Sequence, residues 1–200
     1  MTNPDGGASP TLRVLGICGS LRAQSYNRAL LRAARDMGTP RMEIADFDLS
    51  ALPPFNQDVE ATAIPEPAAA LKRAITEADG LLIASPEYNY GVPGVLKNAI
   101  DWASRPPGKS PLSGKPAALM GASMGMGGTI RAQLQLRQAF LFTETHVLLK
   151  PEVYVARAQD KIDADGRLTH EPTLAIIRQL LESFAAWIDR FKAPSEHQLG

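Results

Sequence analysis

The chain has 200 residues, 44% hydrophobic and 21% charged, with 21 Lys+Arg balanced by 21 Asp+Glu. Such a length suits one domain, and a formal net charge of zero supplies no basic face for nucleic acid and no polybasic run for an anionic membrane. Its one cysteine, Cys18, excludes an intrachain disulfide framework and makes an intracellular, cytoplasmic setting the default. Residues 1–10 are polar and lack the positive start and apolar core of a signal peptide, so they read as a disordered leader. No stretch approaches the roughly 18 consecutive apolar residues that span a bilayer. Leu12 to Cys18 is a compact apolar run stopped by Gly19-Ser20, which reads as a buried parallel strand. Asn27 to Met37 repeats apolar residues at helical spacing (Leu30, Leu31, Ala34), and Gly38 ends it.

Met42 to Phe47 is a second strand, followed by a long Pro-rich connection to Pro67. Ala68 to Ala78 has a helix-forming composition, and Gly80 to Ala84 is the clearest buried strand. Pro93 suits the first turn of a helix through residues 93–103. Pro116 to Gly121 is a fourth strand; a Gly-rich loop and a helix over 129–142 follow, and Val147 to Ala156 contains the fifth strand. Leu174, Ile177, Leu181, Phe184 and Ile188 mark one face of a last helix, and 193–200 reads as a flexible tail. Alternating strands and helices predict an α/β, three-layer sandwich over residues 11–192, with a parallel sheet covered on both faces. Periodicity does not order the strands.

In such a sheet, ligands bind beyond the carboxyl ends of the strands. The loops after the first, third and fourth strands are the unusual ones. The first, Gly19 to Asn27, brings Ser20, Arg22, Ser25 and Asn27 to a helix N-terminus, an inventory suited to a phosphate dianion. The alternative is a capped helix, with Ser25 or Asn27 as the cap and Arg22 merely solvated. The second, Ser85 to Gly94, is stiffened by prolines and offers Tyr88 and Tyr90 as flat surfaces for a heterocycle. There the alternative is tyrosines that only cover a helix end. In the third, Gly121 to Gly128, the glycines at 125, 127 and 128 do not give the spacing Gly-x-Gly-x-x-Gly. They let backbone approach a planar ligand, on which Met124 and Met126 could pack, although core packing serves either equally. A Walker-type Gly-x-x-x-x-Gly-Lys is absent, His146, His170 and His197 share no metal-ligand spacing, and no Gly-x-Ser-x-Gly elbow surrounds Ser20. Nucleoside-triphosphatase, metal and hydrolase chemistry are set aside.

Gly19-Ser20-Leu21-Arg22 with Ser25 and Asn27, and then the segment from Pro86-Glu87-Tyr88-Asn89-Tyr90-Gly91 to Trp102, resemble the NAD(P)H-dependent FMN reductase family, which includes chromate and quinone reductases and related azoreductases. The resemblance covers roughly residues 12 to 190. It implies a flavodoxin-like sheet in the order 2-1-3-4-5 and FMN as the bound flavin. By position, Ser20, Arg22, Ser25 and Asn27 would hold the FMN phosphate. Pro86, Glu87, Tyr88 and Asn89 would line the isoalloxazine with Tyr90 nearby, and Ser123 and Gly125 would close the far side. Hydride would pass from NAD(P)H through the flavin to a quinone, chromate, azo or flavin acceptor in a ping-pong cycle, without a catalytic side chain. Glu87 is expected to be structural, capping a loop. Arg105 or Arg131 could meet the 2′-phosphate of NADPH, or serve a subunit contact.

The helix over 129–142 carries more apolar residues than one sheet-facing stripe needs, and Trp102 adds to them. A homodimer or homotetramer through the helices 93–103 and 129–142 is therefore expected, as in the family. Two other readings compete: a flavodoxin-type electron carrier without its own NAD(P)H turnover, and a flavin-binding regulatory module. Such carriers are usually strongly acidic, whereas this chain is neutral.

Overall fold

The computed structural model describes residues 10–37 and 41–192; the expected leader (except Pro10), the Gly38 stop and the tail lie outside them. Strands β1 (Leu12–Cys18), β2 (Met42–Phe47), β3 (Gly80–Ala84) and β4 (Pro116–Ala122) are parallel. The sheet order is β2-β1-β3-β4-β5, as the resemblance implied. Its fifth position is shared by two short strands, β5 (His146–Val147) and β6 (Val153–Val155), both paired with β4. One continuous fifth strand was expected. Pro151 lies between the two pieces and has no N–H to give the ladder.

The central strands β1, β3 and β4 are largely apolar on both faces because both are covered, whereas the edge strand β2 exposes Glu43 and Asp46. On β1, Leu12 and Val14 join one core, while Leu15 and Ile17 join the other. Helices α1 (Tyr26–Asp36) and α6 (Glu171–Asp189) fill the first with Leu30, Leu31, Leu181 and Phe184. The second holds Leu71, Ile75, Leu96, Ile100, Leu136 and Phe140 from α3 (Glu66–Glu77), α4 (Gly94–Ala103) and α5 (Ile130–Phe142). A further helix, α2 (Gln57–Thr62), was not expected within the Pro-rich connection. It has no buried residue and begins at Asn56, whose side chain caps Asp58 N. Periodicity cannot reveal a helix with no apolar stripe.

That connection is tied to α4. Asn98 Oδ1 accepts from Phe55 N (2.7 Å), and the Trp102 indole donates to Pro53 O (2.8 Å). Trp102 is therefore interior, at 1% exposure, and cannot contribute the expected intersubunit surface. Among the described residues no helix is long and apolar enough to cross a membrane.

Candidate functional site

The loops after β1, β3 and β4 converge at the carboxyl edge of the sheet around a cavity of about 640 Å3. Ser20, Arg22, Ser25, Asn27, Pro86, Glu87, Tyr88, Asn89, Tyr90, Ser123 and Gly125 all line it. Parallel topology causes the convergence, because each strand must end on the same side before its crossover helix returns.

At one end lies the start of α1. Ser25 caps the helix, its Oγ accepting Arg28 N at 3.4 Å. The first-turn N–H groups of Tyr26 and Asn27 precede any intrahelical acceptor, as helix geometry requires. Ser20 is 3% exposed, and its Oγ accepts from Arg22 N (3.4 Å) and Tyr88 Oη (3.2 Å). With both lone pairs engaged, its own hydroxyl proton is left to donate. The exposed Arg22 guanidinium stands 6.0 Å from the Tyr26 ring centroid. Beneath them, burial pushes the Cys18 thiol up, consistent with a small structural side chain.

Asn27 also reaches across to β4. Its Nδ2 donates to Ala122 O (3.0 Å) and its Oδ1 accepts from Ala122 N (2.9 Å). The amide pins α1 to the end of β4, which leaves one Nδ2 hydrogen and the backbone N–H for an anion. A partner 95 residues away gives no local signal in sequence.

Across the cavity, Tyr88 and Gly91 exchange backbone hydrogen bonds of 3.1 and 2.9 Å. Between them, Asn89 (φ 51°) and Tyr90 (φ 64°) form a turn of the type I′ class. Asn accepts this conformation readily, but Tyr does so at a cost. Helix α5 holds the turn in place. Gln135 accepts from Val92 N (3.1 Å) and donates to Tyr90 O (3.3 Å), and the Arg131 guanidinium carbon lies 3.9 Å from the Tyr90 ring centroid. Gln135 escaped the sequence reading because an exposed helical glutamine carries no pattern. Arg131 lines the cavity with Nη1 bonded to Glu87 (3.0 Å), whereas Arg105 pairs with Glu60 (2.9 Å) away from it.

The Glu87 carboxylate, with its side chain 9% exposed, accepts from Arg131 N (2.9 Å), Ala132 N (3.2 Å) and Arg131 Nη1 (3.0 Å). It caps α5 from another loop, where Thr129 makes no side-chain cap of its own. The third wall depends on Gly121, where any Cβ would strike Ser85 O and Thr129 Oγ1. Ser123 Oγ donates to Gly128 O at 2.5 Å and closes the Gly-rich loop on itself. Met124 and Met126 are 60% and 72% exposed, on the rim rather than in the core.

The NADPH-dependent FMN reductase family matches residues 12–160. An NAD(P)H-dependent FMN reductase of Pseudomonas aeruginosa is 48% identical over 92% of this chain and 99% of its own length. A 2-hydroxy-1,4-benzoquinone reductase of a Burkholderia species is 40% identical over 88% and 96%. Among solved structures, the flavoenzyme NAD(P)H:(acceptor) oxidoreductase of Paracoccus denitrificans superposes with a TM-score of 0.83 at 36% identity, covering 90% of this chain and 99% of that one. By family match, sequence identity and fold, the chain belongs to the NADPH-dependent FMN reductase family.

Proposed function

We propose that this protein holds FMN in the 640 Å3 cavity as an NAD(P)H-dependent oxidoreductase, with quinones as its main acceptor class. The observation that carries the reading is the pairing of an anion pole with a slot for a flat ring in one cavity. At the pole, the Ser20 hydroxyl proton, the first-turn N–H groups of α1 and Arg22 fit a phosphate monoester. At the slot, the backbone of Pro86 to Tyr90 faces Gly125, where a Cβ would meet nothing nearer than Ser123 Oγ at 3.8 Å.

When bound, FMN would supply the redox chemistry, a two-electron transfer between NAD(P)H and the acceptor. The chain's own residues bind and orient. Among the described residues lining the cavity, Glu87 is the one carboxylate, and no histidine or cysteine is present. With Glu87 committed to three donors, the site works by placement and fixed dipoles rather than by a side-chain acid or base. Quinones are favoured because the rim is apolar and open, with Tyr88, Tyr90, Met124 and Met126 all exposed. Chromate and azo compounds are further acceptors the same mouth could admit.

The assembly belongs to the proposal as well. Helix α5 exposes Leu134 (54%), Leu141 (81%) and Phe142 (88%), a patch suited to a second copy in a homodimer or homotetramer. By contrast, the apolar residues Leu96, Ala99, Ile100, Trp102 and Ala103 of α4 are buried, so α5 provides most of the apolar face. A cytoplasmic setting suits the lone buried Cys18.

One spectrum tests the core of this reading. The purified protein should show flavin bands, bleach with anaerobic NAD(P)H and recover on adding a quinone. A colourless protein that takes up no added FMN, or a flavin indifferent to both nicotinamides, defeats it. The latter result would point to an electron carrier.

A further inference from the structure

A second hollow of about 310 Å3 adjoins the flavin cavity and shares Arg22, Ser25 and Tyr26 with it. Its other walls come from α1 and from the hairpin after β6, in which Ile162 bridges Leu168. The hairpin is held by Asp163, whose N donates to Arg167 O (2.9 Å) and whose Oδ1 accepts from Arg167 N (2.8 Å). Half-buried Arg32 reaches its tip, with Nη1 3.7 Å from where a Gly166 Cβ would stand.

The hollow is lined by charges of both signs, Arg22 and Arg32 from the β1–α1 segment and Asp163 and Asp165 from the hairpin. Arg32 has no carboxylate partner among the described residues, as is also true of several surface arginines, but Arg32 faces a cavity. A guanidinium facing a cavity without an ion-pair partner is suited to an anionic ligand.

We propose that this hollow is an adenosine-phosphate subsite, with Arg32 taking the phosphate and the hairpin taking the ribose and base. A nucleoside phosphate is itself polarised, anionic at one end and rich in hydroxyl and amine donors at the other. Arg32 suits the first end, Arg22 being placed on the flavin phosphate. The carboxylate of Asp165, the remaining acceptor capacity of Asp163 and the Gln159 amide suit the second, while Ile162 gives the base an apolar surface. The two hollows adjoin at the flavin-phosphate pole, so the adenosine end of a dinucleotide seated in the second lies beside the flavin's phosphate rather than in its place. The inference rests on the flavin and nicotinamide reading above. It also supplies what Arg105, paired with Glu60 outside both hollows, does not. The adenosine phosphate has two possible sources, the 2′-phosphoadenosine half of NADPH and the adenylate half of FAD.

Calorimetry on the FMN-loaded enzyme provides the direct test. Wild type should bind adenosine 2′,5′-bisphosphate, and R32A should bind it about tenfold more weakly with its flavin absorbance unchanged. R32K should recover part of the binding, which separates a lost phosphate contact from a damaged helix. If NADPH is the source, R32A raises KM for NADPH about tenfold and leaves kcat and KM for NADH alone. If FAD is the source, R32A weakens FAD about tenfold relative to FMN in apoprotein titrations, with the NADPH to NADH ratio unmoved. The subsite is overturned if wild type binds no adenosine 2′,5′-bisphosphate and R32A alters neither ratio. In that event, intact FMN loading and NAD(P)H oxidation would leave the redox reading standing.

Discussion

Glu87 meets Arg131 twice, accepting the backbone N–H at 2.9 Å and the guanidinium at 3.0 Å. The first contact neutralises the positive end of α5, and the second fixes the cation whose carbon lies 3.9 Å from the Tyr90 ring centroid. Glu87→Ala should therefore cost about 1–2 kcal/mol, a fall in Tm of roughly 2–8 °C. Glu87→Gln, which still accepts one N–H, should lose less. Equal stability for E87A and wild type in a thermal melt would show that the cap is idle.

Tyr90 sits at φ 64°, where glycine is at ease, yet the residue is 68% exposed and its ring is covered on one side by Arg131. Relief of backbone strain, about 1 kcal/mol, should nearly offset the lost cation–π contact in Tyr90→Gly. The variant should melt close to wild type but show a raised KM for quinone. A large loss of stability with unchanged KM would contradict this division between folding and binding.

Gly121→Ala should do harm out of proportion to one methyl group. Its Cβ would overlap Ser85 O and Thr129 Oγ1, both in buried residues, so the β4 end must shift. A destabilisation of about 1–3 kcal/mol is expected, with weakened FMN retention. Denaturant unfolding and flavin occupancy measure the two consequences separately, and a fully loaded variant of normal stability would refute the close packing.

At the anion pole, the double substitution of Ser20 and Arg22 to alanine removes a hydroxyl donor and a guanidinium. FMN should bind about 10–100-fold more weakly, each lost charge-assisted bond being worth about 1.5–3 kcal/mol before solvent screening. Flavin fluorescence on dilution reports the release. A double variant that stays yellow at full occupancy would move the phosphate elsewhere.

Acid should act through Asp189, among other groups. Hydrogen bonds from Arg41 at 2.7 Å hold its carboxyl below the ordinary value and fasten the start of β2 to α6. A depressed folded-state value means the pair stabilises the protein above the unfolded value, near pH 4, and loses that contribution as pH falls through the folded one. With Asp189 39% exposed, screening limits the effect to about 0.5–1 kcal/mol. Asp189→Asn should lower stability at pH 7 and cease to matter below about pH 3. A difference that persists unchanged in acid would exclude the ion pair as its cause.

Features confined to short stretches of chain were readable from sequence. The apolar runs of β1, β3 and β4, the 3.6-residue rhythm of α1 and α6 and the cap at Ser25 are all local. The site was legible at the level of its loops, because glycines, prolines and hydroxyls cluster where backbone must turn beside a ligand. Long-range pairings stayed hidden: Asn27 with Ala122, Glu87 with α5, and Trp102 with Pro53. Each changes a side chain's role without changing its neighbours in sequence. Trp102 shows the cost of this, since as a large apolar residue at a helix end it read as surface and is fully enclosed.

The double hydrogen bond between Asn27 and Ala122 bears on the residence time of the flavin. It welds the floor of the phosphate pole to the rear wall of the ring slot, so neither can swing open alone. Release must then proceed through the outer fittings, the Tyr88–Gly91 turn and the Met124–Gly127 loop. A mould with one rigid half lets ligands pass at its mouth while retaining what is seated behind it. By this geometry the flavin is a tenant, and the nicotinamide and quinone are visitors.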